Sequence, residues 1–299
     1  MPDSVDNRGI GDGIIDAHVH TFPPELVRDR TAFLARDTWF ATLYASPRAA
    51  MVTAEEVIAA MDAGGVARSV VFGFAFRDQG LCGLVNDYVL EAVATYPDRL
   101  AGLCCVSPQE PGAVAELERC LDAGMKGCGE LAPDGQGLTA EWAGGGGARR
   151  PAARAGLGQV AACLTERGLP LLMHSNEAVG HDYAGKGGFT LEHCLALATA
   201  YPDLNIVLAH MGGGLFVYEL MPEVRRTLSR VYYDTAAVPY LYDPEVYRVA
   251  VSCAGPHKII FGSDFPLLPV GRYQEGLSLL DETTRAAVTG GNARKVFRL

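Results

Sequence analysis

The stretch "GIIDAHVHTFP" (Gly13–Pro23) opens with a short apolar run and carries two histidines one residue apart. Seven further apolar runs follow it along the chain, at 69–76, 100–107, 125–131, 169–175, 205–211, 230–236 and 258–264. Each run is short and almost continuously apolar, which is typical of strands buried on both faces of a parallel sheet. Residues 13–20 are therefore predicted to form the first of eight parallel strands.

Helical patterns separate the apolar runs. One of them begins with Thr53 and Glu56 in the spacing of a capping box and stops at Gly64. A strand followed by a helix, repeated eight times, implies right-handed crossovers and closes naturally into a (β/α)8 barrel, the TIM barrel. A doubly wound open sheet is the rival, but no G-x-G-x-x-G motif follows the first strand. The sequence therefore predicts an α/β fold, with one barrel domain spanning residues 1–299.

Three segments depart from the repeating unit. Residues 1–12 are polar and glycine-rich, so we expect them to be flexible. The connections at 21–52 and 132–153 are too long for ordinary strand-to-helix turns and are predicted to be loop insertions. The first insertion contains Trp39 among several aromatic residues, and we expect it to form an aromatic wall over the site.

Composition limits the partners and the compartment. The 299 residues carry a formal net charge of −10, the wrong sign for attracting nucleic acid. The N-terminus has no signal-peptide pattern, and no apolar run approaches the length of a membrane span. The eight cysteines form no C-x-x-C pair and are expected to be reduced core residues. We expect a cytoplasmic protein that acts on a small molecule, without a nucleic-acid or membrane partner. The sequence does not decide whether the chain forms a homo-oligomer.

Six metal-capable side chains fall at the carboxyl ends of five predicted strands. They are His18 and His20 on strand 1, Glu130 on strand 4, His174 on strand 5, His210 on strand 6 and Asp264 on strand 8. This end of a (β/α)8 barrel is where active sites lie. Burying so many ionisable groups unpaired would be costly, whereas a divalent cation accepts neutral imidazoles and ionised carboxylates. The pattern therefore predicts a metal site.

Neighbouring residues suggest how ligands and substrate are supported. Asp16 precedes His18 by two residues, so strand alternation places it on the same face, one layer deeper. Candidates for substrate binding come from the loops: Trp39, His181 and Tyr240 could contact the substrate, and Arg77 could hold a substrate carboxylate.

The motifs "DAHVH", "GEL", "LMHSNE", "LAHMGGG" and "FGSDFP", in this order, resemble the amidohydrolase superfamily. The closest resemblance is to the branch called amidohydrolase family 2, which includes aminocarboxymuconate-semialdehyde decarboxylase. It implies that His18, His20, His174 and Asp264 bind the metal and that Asp264 moves a proton. It also implies that His210 either binds a second metal or polarises the substrate, and that Glu130 is a metal ligand able to bridge two ions.

Three functions are open at this point. The first is hydrolysis of an ester, lactone or amide-type C=O by metal-activated water, with Asp264 and His210 as catalytic residues. The alternative is non-oxidative decarboxylation of a small carboxylate by the same residues. The third, a non-catalytic metal clamp, fits least, because structural sites are closed by four ligands. We expect hydrolysis, because Glu130 adds negative charge to the barrel mouth. Zinc is the expected metal, although manganese, iron and nickel also suit these donors, in one or two ions.

Overall fold

The computed structural model describes residues 13–139 and 155–299. Within these ranges the chain forms eight strands that pair in parallel with their neighbours in sequence order. They are β1 (Ile14–His20), β2 (Val66–Phe72), β3 (Leu100–Gly102), β4 (Cys128–Leu131), β5 (Leu171–Met173), β6 (Ile206–Leu208), β7 (Val231–Asp234) and β8 (Ile259–Ile260). Each strand overlaps one of the predicted apolar runs.

Main-chain contacts in two places close the strands into a barrel. β1–β3 form one hydrogen-bonded group and β4–β8 form another. A parallel bridge between Cys104 and Cys128 joins the two groups on one side. On the other side Val19 bridges Phe265, and the Asp264 N–H donates to the carbonyl oxygen of His18 at 2.9 Å. The fold is therefore the predicted (β/α)8 barrel.

Helices connect the strands. The α-helices of the described ranges are Pro24–Arg28, Arg30–Leu34, Thr38–Tyr44, Ala54–Gly64, Gln79–Thr95, Ala113–Asp122, Ala155–Arg167, Leu191–Ala200, Pro222–Thr227, Val238–Leu241, Val246–Ala254, Gln274–Ser278, Glu282–Ala286 and Asn292–Phe297. Three 3-10 segments and one π segment complete them, at His210–Leu220, Pro256–Lys258, Val270–Tyr273 and Ala287–Gly291. The predicted capping box of Thr53 and Glu56 is present. None of the described helices combines the length and the apolar character of a membrane span.

The predicted insertion at 21–52 folds into three short helices beside the barrel mouth. Its residues Phe22 and Phe40 pack with Phe74 and Phe76 in a small second core. The second predicted insertion begins against the barrel, where the side chain of Gln136 donates to main-chain oxygens at 2.7 and 3.2 Å. Residues 140–153 of that insertion, and the predicted flexible residues 1–12, lie outside the described residues.

A bulge in β1 reverses the side-chain alternation between Asp16 and His18. Asp16 pairs with Ser69 and Val19 pairs with Val71, so three steps along β1 match two steps along β2. Asp16 and His18 therefore face opposite sides of β1, and the expectation of a shared face is wrong because it assumed an unbroken ladder. The carboxylate of Asp16 instead accepts hydrogen bonds from the hydroxyl and the N–H of Ser263, just before Asp264.

Candidate metal centre

The six predicted side chains converge at the carboxyl ends of β1, β4, β5, β6 and β8. Among the described residues they form two groups, and within each group the candidate ligand atoms lie within 4.8 Å of one another. The first group is His18, His20 and Asp264; the second is Glu130, His174 and His210. The barrel thus brings together side chains that are up to 246 positions apart in the sequence (Asp264 and His18).

The first group surrounds a point between β1 and β8. Oδ1 of Asp264 lies 3.6 Å from Nε2 of His18 and 3.4 Å from Nε2 of His20. Oε2 of Glu130 lies 3.7 Å from both nitrogens. His18 is fully buried, and its Nε2 has no hydrogen-bond partner in the described part of the chain. An orphaned nitrogen facing two carboxylates is the arrangement that a divalent cation would complete.

The Nδ1 atoms of both β1 histidines, which face away from the centre, lie within hydrogen-bond distance of acceptors. Nδ1 of His18 lies 2.8 Å from Oδ2 of Asp234, and Nδ1 of His20 lies 3.1 Å from the carbonyl oxygen of Gly73. An acceptor at Nδ1 requires the proton on that atom, which leaves Nε2 of the neutral ring unprotonated. In their neutral form, which a bound cation would favour, both imidazoles would therefore present a lone pair to the centre, in the tautomer that metal binding needs.

The second group is packed more tightly. Nδ1 of His174 lies 3.0 Å from Oε1 of Glu130 and 3.1 Å from Nε2 of His210. The opposite nitrogens face acceptors, the side-chain oxygen of Asn176 at 3.2 Å and the carbonyl oxygen of Ala236 at 3.0 Å. Burial opposes the charged form of His210, but the hydrogen bond with Glu130 and the nearby carboxylates outweigh it and raise its pKa to about 10. A proton or a cation would therefore stabilise the close approach of Nδ1 of His174 to Oε1 of Glu130 and to Nε2 of His210.

The carboxylates of the centre are ionised despite their burial. Burial opposes ionisation of Asp264, yet the hydrogen bond from His20 and the charge of His18 lower its pKa to about 2. Burial likewise opposes ionisation of Glu130, whose pKa is held well below its usual value by the charges of nearby histidines. Burial disfavours the imidazolium of His18, but Asp234 and Glu130 raise its pKa to about 9. A bound cation would replace these protons on the histidines.

Asp234 is the site residue that the sequence reasoning missed. It ends β7, and its Oδ1 accepts hydrogen bonds from the N–H groups of His210 and Ala236, each at 3.0 Å. One carboxylate thus orients the ring of His18 and fixes the main chain at His210. The sequence does contain an indication of this role, because Asp234 is an ionisable residue at the carboxyl end of a predicted strand.

The motif "HMGGG" places His210 through a left-handed turn. All five residues from His210 to Gly214 have positive φ, between 56° and 90°. Glycine adopts this conformation at little cost, which explains the three glycines. A Cβ on Gly213 would lie 2.2 Å from the carbonyl oxygen of Asn176, so the turn also needs glycine for close packing against the loop after β5.

A cavity of about 460 Å³ opens above the two groups. Its floor is formed by His20, Glu130, His174, His210 and Asp264, and its walls include Trp39, Leu43, Tyr44, Phe74, Leu241 and Leu267. Trp39, His181 and Tyr240, three of the predicted substrate contacts, also line it. The lining within the described residues contains no lysine or arginine. The floor is therefore charged, whereas most of the wall is apolar.

Arg77 does not line this cavity, contrary to its predicted role in holding the substrate. Its side chain is exposed, and its main-chain N–H donates to the carboxylate of Asp37 at 2.9 Å. The physical reason is that β2 ends at Phe72, so the buried segment 73–76 carries the chain past the barrel mouth before Arg77 is reached.

The family model for amidohydrolases matches residues 15–299, so the chain belongs to the amidohydrolase family. Among solved structures it resembles 5-carboxyvanillate decarboxylase from Novosphingobium aromaticivorans, complexed with manganese and 4-hydroxy-3-methoxy-5-nitrobenzoic acid, with a TM-score of 0.75, 19% identity and 97% of each chain covered. It also resembles 5-carboxyvanillate decarboxylase from Sphingomonas paucimobilis, with a TM-score of 0.70, 19% identity and coverage of 97% of this chain and 100% of the other. 2,6-Dihydroxybenzoate decarboxylase complexed with 2,6-dihydroxybenzoate gives a TM-score of 0.67 at 18% identity, with the same coverage. No curated protein matches the chain.

These comparisons correct the expectation of hydrolysis. The three structures named above are decarboxylases by name, which contradicts the expected hydrolysis and fits the alternative, decarboxylation, better. The expectation relied on the negative charge of Glu130, but that carboxylate lies within 3.7 Å of nitrogen atoms of four histidines, so its charge considered alone does not favour hydrolysis. The chain is an enzyme of the amidohydrolase family with a site for a divalent metal; zinc specifically is not shown, and one similar structure contains manganese.

Proposed function

We propose that this protein is a metal-dependent, non-oxidative decarboxylase of a small aromatic carboxylic acid. The observation that carries the proposal is the contrast between the charged floor of the cavity and its largely apolar wall, which has no lysine or arginine among the described residues. A carboxylate entering such a cavity needs a cation, and the metal centre is where one would lie. The aromatic wall suits a ring, and the decarboxylase relatives support this class of substrate.

The geometry of the two groups supports a set of metal ligands. His18, His20 and Asp264 would hold the ion, with Glu130 and His174 completing the set. Imidazole and carboxylate donors suit manganese as well as zinc, iron and nickel, and the manganese complex among the relatives favours manganese. An ion held by these residues would supply the positive charge that binds and orients the substrate carboxylate.

The reaction requires one proton at the carbon that loses its carboxylate. The C–C bond breaks, its electron pair stays on the ring carbon, CO2 leaves and a C–H bond forms. His210 is the first candidate to donate that proton, because it lines the cavity and its Nε2 lies on the side of the ring opposite the Nδ1 that faces the carbonyl oxygen of Ala236. Asp264 also lines the floor and is the second candidate for the transfer.

The cavity wall would position the ring. Trp39 and Tyr240 lie on the lining and offer aromatic faces, and His181 lies beside them with its side chain open to solvent. We propose that these three residues contact the part of the substrate remote from the carboxylate.

The test is CO2 release from a panel of aromatic carboxylates by protein loaded with manganese, stripped with a chelator, and reloaded. Release should depend on the metal. His18→Ala should abolish both metal retention and turnover, whereas His210→Gln should retain the metal and slow turnover by about 100- to 10,000-fold. Elemental analysis of the same samples gives the ion count. One ion per chain leaves His210 free to carry the proton; two ions would make Glu130 a bridge and His210 a ligand.

A further inference from the structure

The hydroxyl of Tyr44 is a polar group in the cavity wall that the metal centre does not use. We propose that Tyr44 is a substrate-recognition residue whose hydroxyl donates a hydrogen bond to an acceptor oxygen of the carboxylate substrate, either on the carboxylate or on a neighbouring ring hydroxyl. This inference rests on the proposed function, because it requires a carboxylate bound over the metal centre.

Tyr44 ends the helix Thr38–Tyr44 and lines the same cavity as His20, Glu130 and Asp264. Its ring is held on three sides by aromatic side chains. It stacks on Phe40 at a centroid distance of 4.7 Å and meets Phe22 and Phe74 edge-on at 5.3 and 5.9 Å. Because these contacts fix the ring, they also fix the direction in which the hydroxyl points.

The hydroxyl of Tyr44 has no hydrogen-bond partner among the described residues, and it is not sealed from the cavity. The two other tyrosines on the lining differ from it. The hydroxyl of Tyr183 donates to Glu177 at 2.8 Å, and Tyr240 is 51% exposed at the cavity mouth. Tyr44 is thus a sheltered lining tyrosine whose donor is free for a ligand.

The surroundings of Tyr44 keep its hydroxyl protonated. Burial, together with the negative charges of Asp264 and Glu130, raises the pKa of the phenol. A neutral phenol donates a hydrogen bond to an anionic substrate without adding negative charge to the cavity. Since the described lining has no lysine or arginine, the Tyr44 hydroxyl is well suited to complement the metal centre in recognising substrate oxygens.

Binding measurements test the inference separately from turnover. Benzoate and 2-hydroxybenzoate are titrated calorimetrically into manganese-loaded protein, using the wild type, Tyr44→Phe and the control Tyr232→Phe. Phenylalanine keeps the ring contacts, so the unfolding midpoint and the affinity for manganese should not change. Loss of a hydrogen bond to a charged or polar oxygen should weaken binding about 10- to 100-fold in Tyr44→Phe. The control tyrosine lies in β7, away from the cavity lining, and should bind both ligands as the wild type does.

The pattern of losses identifies the oxygen. Weaker binding of both ligands supports recognition of the carboxylate, and weaker binding of 2-hydroxybenzoate alone supports recognition of the ring hydroxyl. If Tyr44→Phe binds both ligands as tightly as the wild type, the inference is overturned while the proposed function stands. If metal-loaded wild type binds neither ligand, the proposed function is overturned, and the role of Tyr44 with it.

Discussion

Replacing Asp234 by asparagine should weaken metal binding without unfolding the barrel. The carboxylate accepts the Nδ1 proton of His18 at 2.8 Å through one oxygen and two main-chain N–H groups at 3.0 Å through the other. Asparagine keeps the shape and one acceptor oxygen, which would continue to accept the two main-chain hydrogens. Its amide N–H would then face Nδ1 of His18, so the proton of the neutral ring would move to Nε2, the atom that faces the metal.

The expected loss of metal affinity can be judged from other metal sites, in which a hydrogen-bond partner orients a metal-binding histidine. Changing a group that orients a metal-binding histidine typically lowers metal affinity about 10- to 100-fold, or about 1.4 to 2.7 kcal/mol. We expect Asp234→Asn in the upper half of this range. His18 is fully buried, so no water can take over the lost interaction, and the substitution removes a negative charge together with the favoured tautomer.

The assay is calorimetric titration of manganese into metal-free protein at constant pH, with thermal unfolding recorded in parallel. Asp243→Asn is the matched control, because Asp243 is exposed, lies in the same connection after β7, and accepts the N–H of Glu245 at 3.0 Å. Manganese affinity in Asp234→Asn equal to that of the wild type would refute the reasoning. An equal loss in both variants would show that the effect does not come from His18.

Three further perturbations test other parts of the structure. Lys258→Met removes the ammonium that contacts the buried carboxylate of Glu219 at 2.6 Å, and should lower the free energy of unfolding in urea by about 3–5 kcal/mol. Adding Glu219→Leu should recover most of this loss. No recovery in the double variant would contradict the ion-pair explanation. Burial raises the pKa of Asp16 from 3.8 to about 6, so the folded state binds this proton more tightly than the unfolded state does. The proton therefore stabilises the folded state at low pH, and this stabilisation is lost as the pH rises from about 4 to above 6. The free energy of unfolding of Asp16→Asn minus that of the wild type should therefore increase by about 2.4 kcal/mol between pH 4 and 7, and a pH-independent difference would refute the shift. Arg77→Ala should leave KM for the carboxylate unchanged, because the side chain lies outside the cavity; a large increase in KM would show that it binds substrate.

Much of the barrel could be predicted from the sequence because its strands are buried on both faces. Each apolar run predicted a strand, and the polar residues at the ends of the runs predicted the floor of the cavity. The runs overestimate the strands, since β3 ends at Gly102 although residues 103–106 are also buried. Apolar segments that leave the sheet and pack beneath the loops have the same composition as strands, so composition alone does not separate them.

Features that depend on a partner strand could not be read from one strand's sequence. The bulge at Asp16 exists because β1 and β2 pair out of step, and neither strand reveals this alone. The role of Asp234 depends on β7 lying beside β6 and on the reach of its carboxylate across to β1. Arg77 follows an apolar run and so resembled a residue at a strand end, but the strand had ended earlier.

The chemical reaction was the least predictable feature. The same imidazoles and carboxylates can serve hydrolysis or decarboxylation, because both reactions use a metal and a proton carrier. What favours one over the other lies in the cavity, whose wall is assembled from loops after several strands. The charge of Glu130 was misleading in isolation, since its histidine neighbours become adjacent to it only in the folded barrel.

The product balance from an aromatic carboxylate incubated in D2O tests the central claim most directly. Manganese-loaded protein should release one CO2 for each molecule of arene formed, with deuterium on the carbon that carried the carboxylate, and metal-free protein should form neither product. Release of no CO2 from any member of a broad panel, or equal release without the metal, would contradict the assignment of this barrel as a metal-dependent decarboxylase.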